Sequence, residues 1–234
     1  LLIISIAKIL SNLNHVAVGA FSPIPAAAAL LSNKLDGGVK NISILGSEEF
    51  NSFSNGGTEL FDCAAQGRVD AFFLSGGQID EKGNVNLLGL KNRGKFFRRF
   101  SGSYGSAFLY FLVPKVILFR EEHNKKIFVK NVDFISSPGL SQKKIYRTGK
   151  IYRLITGKGI FKFNYKTSIF ELLNTHPNQS VLDIKKNTGF DFLISKDFKE
   201  TDEPSSNHLS ILRNNVFEDL KKIYPNFVEE NFNN

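Results

Sequence analysis

The sequence predicts an α/β protein built on a mainly parallel sheet, with helices on the faces of that sheet. The first half of the chain alternates short apolar stretches of strand type with longer stretches of helical periodicity. Such alternation is typical of strand–helix–strand units, in which consecutive strands run parallel. With 234 residues, 42% of them hydrophobic and 22% charged, the chain has ordinary globular composition and can bury a full core.

The individual elements follow from local patterns. Helices are predicted where apolar or small residues recur at helical spacing, and strands where short apolar runs end at turn residues. The predicted helices are Leu1–Leu13, Ala26–Asn33, Glu59–Gln66, Phe108–Phe111, Ser180–Thr188 and the amphipathic Asn207–Ile223. The predicted strands are His15–Ala20, Val39–Leu45, Ala71–Leu74, Val116–Phe119, Lys126–Val129 and the hairpin pair Ile151–Ile155 and Gly159–Phe163.

The chain shows no repeat and no convincing domain boundary. Phe21–Pro25, with its two prolines, is expected to be a turn that is not helical throughout, and Thr201–Ser206 a linker or turn. We therefore predict a single domain over residues 1–234, with a C-terminal helical extension at 207–234.

The net charge of +8 and the pI near 9.5 leave several partners open. A solvated basic surface, a phosphorylated ligand and nucleic acid are all compatible with such charge. No helix-turn-helix, zinc or RNP-type signature accompanies it, so no nucleic acid partner is predicted. The basic residues form three clusters, namely Lys95, Arg98 and Arg99; then Lys125, Lys126 and Lys130; then Lys143, Lys144, Arg147, Lys150 and Arg153.

The cysteine and histidine content limits the chemistry. Cys63 is the single cysteine, which excludes an internal disulfide and fits a cytoplasmic location. The apolar stretch Leu1–Leu10 is too short to span a membrane and contains Lys8, so no membrane association is predicted. The histidines lack metal-ligand spacing, so no metal is predicted and each is expected to be a core or surface residue: His15, His123, His176 and His208.

The densest functional signal is the segment Ser75–Asn86. An apolar strand delivers a glycine pair at its carboxyl end, which is where ligands bind in open parallel sheets. Glycines there let the backbone approach a ligand and donate N–H groups to it. The polar side chains of Gln78, Asp80, Asn84 and Asn86 crowd the same loop. They point equally to a ligand site and to a structural turn whose side chains bond the loop's own backbone.

A second candidate is the Gly/Ser-rich stretch Phe100–Ser106, which follows Lys95, Arg98 and Arg99. Exposed amides beside cationic side chains can hold a phosphate or an oxyanion. The spacing is not that of a P-loop, because no Gly-Lys-Ser/Thr follows. By spacing alone, this stretch is a weak signal.

Together these residues carry a resemblance. The string GGQIDEKGNVN at Gly76–Asn86 resembles the G-x-Q-[IV]-D-x-x-G-N-x-N segment of family I CoA-transferase β subunits, such as that of glutaconate CoA-transferase. Ser101–Gly105 sits where that family has a Gly-rich loop, and Val132–Gly139 is similar to its V-D-[FYV]-[VI]-[ST]-S-P-G segment. Gly159–Phe163, His176-Pro177 and Thr188–Phe190 are similar to the family's C-terminal part. The resemblance spans roughly residues 5–195.

The resemblance implies a doubly wound, mainly parallel open sheet flanked by helices, which is Rossmann-like and of the CoA-transferase or NagB/RpiA-like type. It implies transfer of CoA between carboxylic acids, with acyl-CoA as substrate, coenzyme A as a substrate moiety and no permanently bound cofactor. It also implies an α-type partner subunit, in a heterodimer or heterotetramer. The substrate- or CoA-binding residues it implies are Gly76, Gly77, Gln78, Asp80, Gly83, Asn84, Asn86, Ser101, Gly102 and Gly105.

The family's reaction runs through a glutamyl-CoA thioester, and the glutamate ends the second strand. Here Leu45 occupies that position, and leucine cannot form an acyl intermediate. Glu48 is the catalytic candidate if its loop curls back, and otherwise Glu48 and Glu49 are an acidic start to the next turn or helix. A related branch of ring-opening CoA hydrolases also lacks this glutamate, and its principal acid/base residue comes from the other subunit. A hydrolase subunit and a non-catalytic subunit that binds CoA or a nucleotide are therefore the alternatives.

Overall fold

The computed structural model of the chain describes residues 1–232. These residues form two compact units. The first unit combines Leu1–Phe73 with the segment that starts at Asp202, and the second comprises Leu74–Thr201. The single domain expected from the sequence stays a prediction.

The helices lie mostly where the sequence predicts them. Between the sixth and seventh helices, Leu212–Val216 forms a π-helical turn. In chain order the helices are α1 (Leu2–Ile9), α2 (Pro23–Asn33), α3 (Gly56–Ala65), α4 (Ser106–Leu112), α5 (Val181–Asn187), α6 (Ser206–Ile211), α7 (Phe217–Ile223) and α8 (Pro225–Phe232).

The strands are more numerous than the sequence predicts. Those without a counterpart in the prediction are short strands of two small sheets, and two strands near the end of the second unit. In chain order the strands are β1 (His15–Val18), β2 (Asn41–Ile44), β3 (Ala71–Leu74), β4 (Gln78–Asp80), β5 (Val85–Asn86), β6 (Gly89–Asn92), β7 (Lys95–Arg99), β8 (Lys115–Arg120), β9 (Phe128–Val129), β10 (Lys150–Thr156), β11 (Gly159–Asn164), β12 (Ile169–Thr175) and β13 (Leu193–Glu200).

Parallel pairing dominates, which confirms the predicted fold class. In the first unit, β1 pairs in parallel with both β2 and β3. In the second unit, β8 pairs in parallel with β10 and β12 with β13, while β11 joins β10 and β12 by antiparallel pairing. The β10–β11 hairpin is the one predicted around Thr156–Lys158.

The helix α2 begins at Pro23, three residues before the predicted start at Ala26. Proline is tolerated in the first turn, because its fixed φ suits a helix and the N–H that it lacks has no intrahelical partner there. The expected turn is thus confined to the residues before Pro23. The alanines of α2 are fully buried, and their small side chains let α1 and the backbone of β1 approach closely.

The predicted amphipathic helix Asn207–Ile223 is interrupted by the π-helical turn, so the prediction of one regular helix was wrong. Its apolar face is nevertheless formed as predicted, with Leu212, Val216 and Leu220 buried. The π-helical turn and α7 pack against α2, and Lys34 pairs with Asp219 at 2.8 Å.

The core of the second unit is aromatic. Phe161 meets Phe192 edge-on at 5.2 Å between ring centroids, and Phe163 meets Phe170 at 4.9 Å. Phe170 also stacks on Phe190 at 5.7 Å. Edge-to-face and offset contacts of this kind suit the ring quadrupole. The second unit therefore places much of its phenylalanine in one packed cluster.

Two small sheets complete the second unit. β4 pairs with β5 in antiparallel and with β9 in parallel fashion, and β6 and β7 form a separate hairpin. The strand predicted at Lys126–Val129 is thus present only at Phe128–Val129, and it belongs to a small sheet. These small sheets carry the candidate functional segments.

Candidate functional site

The segment Gly76–Asn86 forms a compact turn between two short strands. β3 ends at Leu74, the chain passes through the glycine pair, and β4 and β5 flank a tight turn at residues 81–84. Gly83 has φ +73°, and a Cβ atom there would lie 2.4 Å from Cδ1 of Ile151. The turn therefore requires glycine at this position on both backbone and steric grounds.

Asp80 organises this turn. One carboxylate oxygen accepts hydrogen bonds from the backbone N–H groups of Lys82 and Asn84, both at 3.0 Å. The other accepts from Nδ2 of Asn84 at 3.0 Å and from the N–H of Val132 at 3.4 Å. Asp80 is only 3% exposed, so these donors replace the water that a buried carboxylate loses.

Gln78 and Asn86 form a second buried network. Oε1 of Gln78 accepts from Nδ2 of Asn86 at 2.8 Å and from the N–H of Asp133 at 2.9 Å. Nδ2 of Asn86 also donates to the carbonyl oxygen of Gly89 at 2.8 Å, and its Oδ1 accepts from the N–H groups of Leu88 and Gly89. Both side chains are buried, and their amide oxygens serve the protein's own backbone.

The segment Val132–Gly139 is held against this turn. Oδ1 of Asn84 accepts from the N–H of Gly139 at 3.0 Å, and Oγ of Ser136 accepts from the N–H of Leu87 at 2.8 Å. Val85 and Ser137 form an antiparallel bridge. The two motifs that the sequence identified separately are thus one structural unit, which we call the paired segments (Gly76–Asn86 with Val132–Gly139).

The Gly-rich loop Ser101–Gly105 borders the paired segments. The N–H of Phe100 donates to the carbonyl oxygen of Leu88 at 3.0 Å, and that of Gly102 donates to Leu87 at 3.2 Å. The ring of Phe100 covers Gly77 so closely that a Cβ atom there would lie 2.2 Å from it. The structure therefore brings the two predicted sites together.

The Gly-rich loop itself remains accessible. Ser101 is exposed, and Gly102 and Gly105 have positive φ of 100° and 75°. The loop leads into α4, whose first residue Ser106 is buried and bonds Ser137 between the two hydroxyl oxygens at 2.7 Å. A loop of small residues fixed at both ends leaves its backbone open to a ligand.

Cationic side chains lie on the hairpin that precedes the Gly-rich loop. Lys95, Arg98 and Arg99 belong to β7 and are exposed. The guanidinium of Arg99 lies 4.2 Å from the ring centroid of Phe96, and Nζ of Lys91 lies 4.9 Å from the same centroid. The first basic cluster is therefore partly ordered by contacts with an aromatic ring.

These observations divide the predicted binding residues. Gln78, Asp80, Asn84 and Asn86 use their polar atoms inside the protein, which favours the structural alternative for their side chains. The small residues leave backbone near the surface of the same region, and these are Gly76, Gly77, Gly83, Ser101, Gly102 and Gly105. Contact of any of these residues with a ligand stays a prediction.

The first unit contains Leu45 and Glu48. Leu45 follows β2 directly and its N–H donates to the carbonyl oxygen of Val18 at 2.9 Å, so its backbone continues the ladder of the sheet. Glu48 lies in the following bend and is exposed, and the neighbouring Glu49 pairs with Lys222 at 2.8 Å. No residue of the described chain hydrogen-bonds the Glu48 carboxylate.

Two histidines of the second unit are buried in a shared network. The ring of His123 bonds Oγ1 of Thr156 and Oγ1 of Thr188, both at 2.9 Å, and burial lowers its pKa to about 4. The ring of His176 bonds Oγ1 of Thr201 at 2.9 Å and the carbonyl oxygen of Thr156 at 3.0 Å, and burial lowers its pKa as well. Both are core residues, which was one of the two sequence expectations.

Within residues 1–232, no cluster of three or more His, Cys, Asp or Glu side chains is arranged to hold a metal ion. None of the helices in that range has both the length and the apolar character needed to cross a membrane. Cys63 is a free, buried thiol in α3.

Comparison with known proteins addresses the family. The family model described as Coenzyme A transferase matches residues 35–187, which is more than half of the chain. That range contains the paired segments and the Gly-rich loop. The chain belongs to the Coenzyme A transferase family.

Curated relatives include β-type subunits with different reactions. The chain is 30% identical over 151 residues to the β-type subunit of glutaconate CoA-transferase of Acidaminococcus fermentans, covering 62% of this chain and 56% of the relative. It is 26% identical over 159 residues to the IpdB component of the cholesterol ring-cleaving hydrolase of Rhodococcus jostii, covering 66% and 62% respectively. The chain thus spans less than two thirds of the length of these relatives.

The fold has the same affinity. The crystal structure of glutaconate coenzyme A-transferase from Acidaminococcus fermentans superimposes with a TM-score of 0.78 at 22% identity, over 91% of each chain. At that identity the likeness concerns the fold, and it confirms the predicted α/β architecture.

Proposed function

We propose that this chain is the β-type subunit of an enzyme that transfers CoA between carboxylic acids and that works with an α-type partner in a heterodimer or heterotetramer. The supporting observation is that the family match encloses three segments that contact one another: Gly76–Asn86, Ser101–Gly105 and Val132–Gly139. A cytoplasmic location belongs to the same proposal.

In this proposal the paired segments form a scaffold and the Gly-rich loop binds CoA. Asp80 and Asn84 fix the turn, while the backbone of Ser101–Gly105 approaches the thioester or the pantetheine arm. Lys95 and Arg98 attract the phosphates of CoA, because exposed cations raise the local concentration of an anionic ligand. CoA enters and leaves as a substrate moiety rather than as a resident cofactor.

Glu48 is the proposed nucleophile. A carboxylate that forms a thioester needs to be accessible and free of competing partners, and Glu48 is exposed with no hydrogen bond from the described residues. Attack of the Glu48 carboxylate on an acyl-CoA gives a mixed anhydride and CoA thiolate. The thiolate then attacks the glutamyl carbonyl, which leaves a glutamyl-CoA thioester and releases the carboxylate.

A ring-opening CoA hydrolase is the second candidate function. It is favoured by Leu45, which ends β2 and has no carboxylate, and by the resemblance to a ring-cleaving hydrolase subunit at 26% identity. In this alternative Glu48 has no covalent role, and the partner subunit supplies the principal acid/base residue.

The test is an assay with the chain alone and with a co-expressed α-type subunit. Acetyl-CoA and a second carboxylate are supplied, and both the new thioester and free thiol are measured. A new thioester supports the transferase, and thiol release or cleavage of a CoA-linked β-diketone without a new thioester supports the hydrolase. CoA binding without turnover supports a non-catalytic subunit, while absence of turnover and of CoA binding in both preparations refutes the proposal.

The role of Glu48 is tested by borohydride trapping of the thioester. The transferase proposal predicts a reduced adduct on Glu48 in the wild type and in Glu49→Gln, and none in Glu48→Gln. Glu49 is the matched control because it is the adjacent carboxylate and is already paired with Lys222. An active transferase without an adduct on Glu48 contradicts the assignment.

A further inference from the structure

A second polar site lies at the opposite edge of the first unit's sheet. β1 begins at His15, β2 begins at Asn41, and Asp70 immediately precedes β3, so the amino ends of three parallel strands meet there. Leu45 and the glycine pair follow the carboxyl ends of the same strands. The site is therefore separate from the region discussed above.

The site contains a relay of three side chains. Nε2 of His15 lies 2.8 Å from Oγ of Ser43, and Oγ of Ser43 lies 2.5 Å from Oγ of Ser52. Ser43 is fully buried, whereas Ser52 is exposed. The relay thus runs from a half-buried imidazole through a buried hydroxyl to a hydroxyl at the surface.

The hydrogen-bond partners fix the direction of this relay. Nδ1 of His15 lies 3.2 Å from the carbonyl oxygen of Arg68, which can only accept, so Nδ1 carries the proton. Nε2 is then the acceptor, Ser43 donates to it, and Ser52 donates to Ser43. A nucleophile, a base and a third group that orients the base are the parts that activate a serine hydroxyl.

The fold holds the imidazole in place. A carboxylate oxygen of Asp70 accepts from the backbone N–H of His15 at 3.3 Å and from that of Asn14 at 2.5 Å. The ring of Phe53 lies 5.5 Å from the ring of His15. Burial lowers the pKa of His15, which keeps the ring neutral and able to accept a proton near neutral pH.

An open cavity of about 510 Å³ lies over Ser52. Its lining includes His15 and Ser52, the apolar Phe53 and the cationic Arg68. The guanidinium of Arg68 makes no hydrogen bond to any described residue, so it is available to an anion or to the oxygen that becomes negative during acyl transfer. A cavity of this size suits a small organic ligand.

We propose that Ser52 is an acyl-accepting nucleophile for small carboxylic esters, activated through Ser43 and His15. Oγ of Ser52 bonds to the acyl carbon while its proton moves to Ser43 and the proton of Ser43 moves to Nε2 of His15. The bond from the acyl carbon to the alcohol oxygen breaks, and the alcohol leaves with the returned proton. Water then attacks the acyl-serine by the same relay and releases the carboxylic acid.

The test combines a fluorophosphonate probe with hydrolysis of p-nitrophenyl acetate by the intact chain. The expected result is a single phosphonate adduct on Ser52 and ester hydrolysis that falls at least about tenfold in Ser52→Ala, Ser43→Ala and His15→Gln. Ser54→Ala is the matched control, because Ser54 is equally exposed but donates to Glu59 and has no imidazole behind it. Ser54→Ala is expected to retain both the adduct and the activity.

Because Ser52 is exposed, Ser52→Ala is expected to fold normally, which thermal unfolding verifies. The buried positions are checked in the same way before their activity is compared. Absence of an adduct on Ser52 in the folded wild type overturns the proposal. Equal labelling of Ser52 in the wild type and in folded His15→Gln overturns it as well, since the relay would then have no effect.

Discussion

The buried imidazole of His123 makes a specific demand on the pH dependence of stability. Its ring is 6% exposed, lies 4.5 Å from the ring centroid of Phe128 and bonds two threonine hydroxyls. Burial is the main reason that its pKa falls from 6.5 to about 4, and the nearby Lys158 lowers it further. The folded state therefore favours the neutral ring.

The sign follows from proton linkage. Because the pKa is lower in the folded state, the unfolded chain binds the proton first as the pH falls, and folding stability is lost between pH 6.5 and about 4. At about 1.36 kcal/mol per pKa unit, His123 accounts for a loss of about 3 kcal/mol over that window, and roughly 2.5 kcal/mol of it by about pH 4.5. Above pH 6.5 the contribution is constant.

The perturbation that isolates this effect is His123→Gln, which keeps hydrogen-bonding capacity but does not titrate. Urea denaturation at about pH 7.5 and pH 4.5 gives the free energy of unfolding of each variant. We expect the wild type to lose about 2.5 kcal/mol more than His123→Gln between the two conditions. A residual loss in the variant is expected, because burial also lowers the pKa of His15 and of His176.

The control is His208→Gln. His208 lies on α6, is half-buried and bonds Ser205 at the helix start. This variant is expected to lose stability on acidification by the same amount as the wild type. If the wild type and His123→Gln lose equal stability between the two pH values, burial does not keep His123 neutral and the reasoning is refuted.

Three further predictions concern the paired segments and the Gly-rich loop. Asp80→Ala leaves several buried N–H donors unpaired and is expected to cost about 3 kcal/mol in urea unfolding, while Glu81→Ala costs under about 0.5 kcal/mol; equal effects would contradict the network. Gly139→Ala brings a Cβ atom within 2.2 Å of a backbone oxygen and is expected to lower the melting temperature by several degrees, whereas an unchanged value would show that the segments are not packed as described. Gly77→Ala displaces Phe100 and is expected to weaken CoA binding, measured by calorimetry, more than it lowers stability; unchanged affinity would separate the Gly-rich loop from CoA.

The sequence by itself determined the class of the fold and the elements with strong local signals. β3 was predicted with its observed ends, because Ala71–Leu74 is a continuous buried apolar run that stops at turn residues. The apolar face of the C-terminal helices was also predicted, since Leu212, Val216 and Leu220 recur at helical spacing. The order of the motifs led correctly to the Coenzyme A transferase family.

Short strands and helix boundaries escaped prediction for local reasons. β5 and β9 have two residues each, which is too few for apolar alternation to be recognised. The start of α2 at Pro23 was missed because proline is read as a helix breaker unless its position in the first turn is known.

Only the tertiary structure decided what the candidate residues do. The local sequence left the polar residues of Gly76–Asn86 evenly divided between a ligand site and a turn. The bonds from Gln78 to Asp133 and from Asn84 to Gly139 each span 55 residues, and such a separation leaves no trace in local periodicity. The glycines that suggested a ligand site thus mark the place where the turn, the segment Val132–Gly139 and the Gly-rich loop meet, because packing alone determines which of a residue's possible hydrogen bonds is made.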